Sequence, residues 1–294
     1  MLLLLNNKLV TLTSHGFSYH YRIFKSPAPK FPPVFIFNGF LQSMRSWTKY
    51  IKYFIDNSNV IIADLPGAGS ADTIKIGEFN LNIFAELVNE IICETKSEKV
   101  DIIAASYGAG IAYSFARKYP EKVNHLTVAG VISKLPPEIK IKIERSVEYL
   151  KKNEMRLFSN LMIENLLNSK YKSKITNYGI IERLLRQQFN SLSSNEKEKY
   201  INNAHHLLTQ SEIEIEPISE IKKLVVTGEY DMLTEPQSGR EIASKFSNSI
   251  FTTIKNADHL FHLEQLETTL ALIKRFFREE PLESLPGINS VEYY

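Results

Sequence analysis

A serine in a turn of small residues is the first position of this sequence that could do chemistry. Residues 101–105 form an apolar run typical of a strand buried in a parallel sheet, and a helical pattern covers residues 111–119. Between them lies Ser106-Tyr107-Gly108. A sharp strand-to-helix turn of this type lifts the serine hydroxyl above the sheet and leaves backbone N–H groups free at the helix N-terminus. We therefore predict Ser106 as the nucleophile of an acyl-transfer reaction, although such short patterns also occur by chance in glycine-rich loops.

Two loops later in the chain offer the base and the carboxylate that a serine nucleophile requires. Asp231 follows one predicted strand and is the preferred acid, with Glu229 as the alternative. His259 follows the next predicted strand and is the preferred base, with His262 as its rival. The order Ser106, Asp231, His259 is the order of nucleophile, acid and base in α/β-hydrolases and differs from the two common protease orders.

The oxyanion of an acyl-transfer reaction needs two backbone N–H donors. Tyr107, directly after the nucleophile, is predicted to supply one of them. The other is expected from the loop after the predicted strand at residues 34–37, which makes Phe40 the candidate. Asn38-Gly39 in this loop is also a common turn dipeptide, but its position at the end of the third strand favours the functional interpretation.

The hydrophobic pattern predicts an α/β protein with a mostly parallel central sheet and helices on both faces, and the order of the three site residues indicates the α/β-hydrolase type. Short apolar strands alternate with helices over residues 1–133, the first part of the core. Residues 134–216 show helical patterns alone and are predicted to form a helical cap inserted between two strands. The alternation resumes over 217–280, the second part of the core. Residues 281–294, with two prolines and no hydrophobic period, are predicted to be a loosely attached tail.

Composition excludes several classes of function. The net charge of +2 comes from scattered residues, so no basic block indicates a nucleic-acid partner. No Cys/His spacing typical of a metal site and no run long enough to span a membrane is present, and we predict no metal or organic cofactor. Cys93, the single cysteine, falls in a helical pattern and is predicted to be a small core residue. The apolar run at residues 2–5 is too short for a signal peptide, so a cytoplasmic location is expected.

The predicted cap could contribute to substrate binding in two ways. Its helices carry large apolar residues that could cover an acyl chain, although packing within the cap explains most of them. Residues 134–190 contain twelve Lys or Arg against six Asp or Glu, so the cap could attract an acidic carrier protein, although a solvated surface explains the same count. His205 and His206 lie in a polar cap helix, where a packing or surface role is preferred to a place in the pocket.

Over most of its length the chain resembles the 3-hydroxyacyl transferases of the α/β-hydrolase fold. These include the enzymes that make the lipid precursor of rhamnolipids and the 3-hydroxyacyl carrier-protein thioesterases and transacylases of polyester synthesis. The resemblance implies Ser106, Asp231 and His259 as catalytic residues, and an acyl thioester of a carrier protein or of CoA as the substrate. The matching motifs are Asn38-Gly39, Asp64-Leu65-Pro66 with Ala68-Gly69, Ala105-Ser106-Tyr107-Gly108, Gly228 with Asp231 and Thr234, and His259 with Glu264.

The chain departs from that family at two positions near the predicted catalytic residues and in the cap. Ala109 stands where the family often has a second glycine, and Asp258 stands where glycine usually precedes the catalytic histidine. Because a cap contacts the acyl chain, its divergence leaves the substrate open. One alternative is a carboxylesterase or lipase with the same triad. The other is a ligand-binding protein that keeps the fold without turnover.

Overall fold

Short strands of four to seven residues, almost all of them buried, form the parallel part of the sheet. They are seen in a computed structural model that describes residues 7–210, 212–218 and 220–294. By compactness the chain divides into two units. The first unit comprises the described residues up to Ala129 together with Ile218–Lys223, and the second comprises Gly130–Pro217 and Leu224–Tyr294. The predicted boundaries of cap and core stay a prediction.

The first unit contains six strands in the order β1-β2-β4-β3-β5-β6. β1 and β2 form an antiparallel hairpin, and β2 also pairs antiparallel with β4. β3 pairs parallel with β4 and β5, and β5 pairs parallel with β6. The strands are β1 Val10–Ser14, β2 Phe17–Phe24, β3 Val34–Phe37, β4 Val60–Asp64, β5 Val100–Ala105 and β6 Val123–Ala129.

Helices follow the parallel strands of this unit, as the alternating pattern predicts. A 3₁₀ turn at Met44–Trp47 leads into α1, Thr48–Phe54; α2 covers Leu81–Glu94 and α3 covers Tyr107–Lys118. In α2 the buried face holds Leu87, Val88, Ile91 and Ile92, which leaves Cys93 exposed. The prediction of Cys93 as a core residue is therefore wrong, because the helical period turns this position away from the apolar face.

The second unit begins with the four helices that the sequence predicts between residues 134 and 216. Their packing centres on Phe158, whose ring meets Phe189 and Tyr200 edge-on. The helices are α4 Pro137–Lys151, α5 Met155–Leu166, α6 Tyr178–Asn190 and α7 Ser194–Thr209. Strands and helices then alternate, beginning with β7, whose first two residues belong to the first unit. These elements are β7 Lys222–Gly228, α8 Pro236–Lys245, β8 Ser249–Ile254, the short α9 Phe261–Glu264, α10 Leu266–Phe277 and β9 Glu292–Tyr293.

Residues 281–294 differ from the prediction of a loosely attached tail. Leu282, Leu285 and Ile288 are buried, and β9 pairs antiparallel with β8. Glu292 also accepts hydrogen bonds from the guanidinium of Arg240, at 2.8 Å. Apolar residues three apart in an irregular segment pack well without showing the period of a helix or strand, so the pattern did not reveal this attachment.

Within the parts of the chain that the structure describes, no helix combines the length and hydrophobicity needed to cross a membrane. The apolar run at residues 2–5 lies outside the described residues.

Candidate active site

Ser106 lies between β5 and α3 with an unusual backbone conformation. Its φ is +48° and its ψ is −117°, in a region that residues with a side chain rarely occupy. The turn is held from both sides, because the Ser106 N–H donates to the Ala129 carbonyl at 2.8 Å and the Ser106 carbonyl accepts from Ala109 N at 2.9 Å. The helix begins at Tyr107, earlier than predicted, so the whole change of direction falls on Ser106. Strain kept at one polar residue is typical of a functional site.

Small residues around Ser106 allow the strand end and the helix to approach each other. A Cβ on Gly108 would lie 2.5 Å from the Asn38 carbonyl oxygen and 3.1 Å from the Phe37 Cβ. Both distances are too short, so α3 packs this closely on the end of β3 only with glycine at position 108. The predicted small-residue requirement of the turn thus has a steric cause.

The loop after β3 is supported by buried polar side chains. The Asn38 amide nitrogen donates to the Ala63 carbonyl at 2.9 Å and to Asp64 Oδ1 at 3.2 Å, and its oxygen accepts from Trp47 Nε1 at 2.9 Å. These bonds fix the backbone that precedes Phe40. The two motifs that begin with Asn38 and Asp64 are therefore one buried network, which the sequence presents as two separate stretches.

The two residues predicted as oxyanion donors contact each other through their side chains. The rings of Phe40 and Tyr107 meet edge-on, with centroids 5.4 Å apart, and Phe79 lies 6.2 Å from Tyr107 on another side. The Tyr107 hydroxyl is buried without a hydrogen-bond partner among the described residues. Burial raises the pKa of Tyr107, so its hydroxyl stays protonated.

In the second unit the structure brings Asp231 and His259 together. His259 Nδ1 lies 2.9 Å from Asp231 Oδ2, and both side chains are buried. Three further donors orient the carboxylate: the N–H of Leu233 at 2.9 Å, the N–H of Thr234 at 2.8 Å and the Thr234 hydroxyl at 2.6 Å. The Asp231 carboxylate is thus fixed by hydrogen bonds from its own turn.

The surroundings of His259 make it a stronger base than an ordinary histidine. Burial acts to lower the pKa of His259, but the charge and hydrogen bond of Asp231, with the charges of Asp258 and Glu264, raise that pKa overall. Because Nδ1 faces the Asp231 carboxylate, the proton of the neutral ring belongs there. Nε2 is then the nitrogen that can accept a proton from a hydroxyl.

The alternatives to these two residues have other surroundings. Glu229 Oε2 accepts the N–H of Asn256 at 2.9 Å. Burial and the neighbouring His259 lower the pKa of His262, in α9, to about 3, so this ring stays neutral. His205 and His206 both lie in α7, and His206 is buried there.

Two residues of this arrangement were not predicted as site residues. Thr234 belongs to a family motif, but the sequence assigns it no role. Its hydroxyl donates to Asp231 Oδ2 and lies 3.2 Å from His259 Nδ1. Gly130 has a φ of +60°, and a Cβ there would lie 3.0 Å from His259 Cε1. A glycine after a strand was the only sequence signal for it. Within the described residues no group of His, Cys, Asp and Glu side chains is arranged to hold a metal ion.

Comparisons with known proteins identify the family. The profile of the alpha/beta hydrolase fold family matches residues 32–266. The (R)-3-hydroxydecanoyl-ACP:CoA transacylase of Pseudomonas aeruginosa is 22% identical over 290 residues, which is 92% of this chain and 91% of that protein. The uncharacterized hydrolase YugF of Bacillus subtilis is also 22% identical, over 90% of this chain and 96% of its own length.

Solved structures share the fold. MGS-M2, an alpha/beta hydrolase enzyme from a Medee basin deep-sea metagenome library, has a TM-score of 0.78 and 22% identity, covering 93% of this chain and 98% of that one. The enol-lactonase of Burkholderia xenovorans has a TM-score of 0.75 and 16% identity, covering 92% of this chain and 100% of that one. At these identities the likeness is one of fold.

Proposed function

Because this chain belongs to the alpha/beta hydrolase fold family, we propose that it is a serine acyl-transfer enzyme that acts on acyl thioesters. In this proposal Ser106 is the nucleophile, His259 the general base and Asp231 the carboxylate that orients it. The N–H groups of Phe40 and Tyr107 stabilise the oxyanion. The observation that carries the proposal is the strained backbone of Ser106, because its φ of +48° and ψ of −117° lie in a region that residues with a side chain rarely occupy, and such strain is typical of functional sites.

The first half of the reaction forms an acyl-enzyme. His259 Nε2 takes the proton of the Ser106 hydroxyl as its oxygen attacks the thioester carbonyl carbon. The resulting tetrahedral oxyanion accepts hydrogen bonds from the two backbone N–H groups. When it collapses, the carbon–sulfur bond breaks and the imidazolium returns its proton to the leaving thiolate, while Asp231 stabilises the charged ring until then.

The second half releases the acyl group. Water, a hydroxyl or a thiol loses a proton to His259 and attacks the ester carbonyl, and the Ser106 oxygen leaves with that proton. Water gives a thioesterase, and another nucleophile gives an acyltransferase.

Intact-mass spectrometry with a panel of acyl-CoA and acyl carrier-protein thioesters tests the proposal. We expect a mass increase equal to one acyl group in the wild type and none in Ser106→Ala, and a fluorophosphonate should label the wild type alone. Turnover of simple esters with inert thioesters would instead identify a carboxylesterase. If neither thioesters nor simple esters are turned over and the fluorophosphonate does not label the wild type, the non-catalytic alternative is favoured.

The acyl group in this proposal is a 3-hydroxyacyl chain. The name of the Pseudomonas aeruginosa relative describes a 3-hydroxydecanoyl group that moves between ACP and CoA. The relative's low identity makes this a hypothesis about the substrate class. Comparing kcat/KM for matched thioesters with and without the 3-hydroxyl group tests it, and equal values would remove the 3-hydroxyl requirement.

An acidic carrier protein is the proposed partner. The excess of Lys and Arg over residues 134–190 would attract it electrostatically. We expect the charge reversal of Lys142, within α4, and of Lys151 and Lys152, at its end, to weaken carrier-protein binding and to leave turnover of acyl-CoA with a short chain unchanged. Unchanged affinity for the carrier protein at low ionic strength would contradict the proposed surface.

A further inference from the structure

The segment at residues 168–177, here called the strap, connects α5 to α6 and is tied to both loops that carry the proposed acid and base. The side-chain amide of Asn168 donates to the Tyr230 carbonyl at 3.0 Å, next to Asp231. At the other end, Thr176 N donates to the Asn256 carbonyl at 2.9 Å, and the Thr176 hydroxyl accepts from Gln265 at 2.8 Å. The strap is thus fastened along its length to residues around the Asp231–His259 pair.

Aromatic side chains add a further tie in the middle of the strap. The ring of Tyr171 stacks on that of Tyr230, with centroids 4.4 Å apart and an interplanar angle of 12°. The Lys174 ammonium lies 5.6 Å from the Tyr171 centroid and 5.9 Å from that of Tyr230. Stacked rings beneath a cation stabilise this part of the strap on the loop of the proposed acid.

Asp258 is the residue where the strap and the base meet directly. Its side chain is fully buried, and its two oxygens have separate partners. Oδ1 accepts the N–H of His259 at 2.8 Å, and Oδ2 accepts the N–H of Asn168. A buried carboxylate is tolerated only when its oxygens are hydrogen-bonded, and here both bonds come from backbone groups that must be held together.

The link between strap and base depends on the side chain of Asp258. A glycine at this position would have no side chain that could accept either N–H. The Asp258 N–H in turn donates to Glu264 Oε2 at 2.5 Å, which fixes the aspartate from the other side.

We propose that Asp258 is a positioning residue that fastens the strap to the backbone of His259, so that the imidazole keeps its orientation toward Asp231 only while the strap is in place. This inference rests on the proposed role of His259 as the base. It assigns to the strap a part in catalysis although none of its residues contacts the reacting atoms. Loss of the carboxylate should loosen the strap and weaken the base together.

The charged groups around Asp258 and His259 determine how the loss of the Asp258 carboxylate should change the pKa of His259. The ionisable groups that face Asp258 or His259 are Asp231, Glu264, His262 and Tyr178. Burial, with the charge of Asp231, raises the pKa of Asp258 to about 6, so the carboxylate is ionised at about pH 8 and supports the imidazolium. Removing its charge should lower the pKa of His259, because the charged ring loses one of its neighbouring anions.

The strap itself is tested by limited proteolysis and amide hydrogen exchange of the wild type, Asp258→Asn and Asp258→Ala. Trypsin can cut after Lys170 and Lys174, whose side chains are exposed, once the strap opens. We expect about tenfold faster cleavage at these sites and faster exchange at Asn168 in Asp258→Ala, with a smaller change in Asp258→Asn, which keeps one acceptor. Cleavage after Lys151, outside the strap, should not change.

Kinetics on the same variants test the effect on the base. We expect kcat to fall more than KM changes, and the acidic limb of the kcat/KM profile to move to lower pH by roughly half a unit. Glu267→Gln is the matched control, since it neutralises an exposed carboxylate in the first turn of α10, outside the strap and the acid and base loops, and its profile should stay that of the wild type.

Unchanged cleavage and exchange in Asp258→Ala would overturn the proposed fastening whatever the activity. A loosened strap with an unchanged kcat and pH profile would overturn its effect on the base. An inactive wild type would instead contradict the proposed function, and the proteolysis would still decide whether Asp258 holds the strap.

Discussion

The backbone at Ser106 keeps a serine where glycine would be at lower energy. A non-glycine residue with φ near +48° and ψ near −117° costs free energy of order 1–3 kcal/mol. We expect Ser106→Gly to be more stable than Ser106→Ala by about 1 kcal/mol, after allowing for the greater freedom of glycine in the unfolded chain. Urea unfolding of the two variants measures the difference.

Neither variant has a nucleophile, so both should be inert toward thioesters. The difference between their unfolding free energies therefore reports the backbone conformation at position 106. Equal unfolding free energies would mean that the positive φ carries no strain. In that case Ser106 would lose the feature that distinguishes it from the other serines that the structure describes. A stability gain with loss of activity is the trade-off expected where function requires strain.

At the scale of the elements, the end of β7 approaches the loop that precedes His259 closely enough to require glycine. A Cβ on Gly228 would lie 2.1 Å from the Asp258 carbonyl oxygen and 2.7 Å from its carbon. We expect Gly228→Ala to destabilise the protein by about 2 kcal/mol or more and to lower kcat, because the backbone of the Asp258–His259 loop must move. Thermal unfolding and turnover of one thioester measure both effects.

Gly179 provides the control, because a Cβ there meets nothing within 4 Å and the residue lies in the first turn of α6. Gly179→Ala should stabilise the protein by about 0.5–1 kcal/mol, as alanine usually does in a helix. If both substitutions changed stability by the same small amount, the close contact between the end of β7 and the Asp258 carbonyl would be contradicted.

The elements also differ in how far the sequence determined them. The strands and the helices of residues 134–216 were predictable, because their apolar periods are local. The roles of Asp258 and Gly130 were not, because each depends on a partner far away in the chain: Asn168 for the first and His259 for the second. The chain order of Ser106, Asp231 and His259 was readable without a structure, while the choice of Asp231 over Glu229 is supported by contacts.

At the scale of the whole molecule, buried acids near His259 should affect the pH dependence of stability. Burial raises the pKa of Glu264 to about 8, and burial with the charge of Asp231 raises that of Asp258 to about 6. Both values lie above those of the unfolded chain, so the folded protein binds more protons between about pH 4.5 and pH 8. This contribution to stability is complete at low pH and is lost as the pH rises through the folded pKa values.

We therefore expect the unfolding free energy to fall from about pH 5 to about pH 8.5, with at most about 1.4 kcal/mol per pH unit from each group. Glu264→Gln keeps an acceptor for the Asp258 N–H but cannot ionise, so its stability should fall less steeply over the same range. Because Glu264 interacts with Asp258 and His259, the difference between the two slopes reports Glu264 together with its influence on these two groups. Parallel slopes in urea titrations across this range would contradict the raised pKa of Glu264.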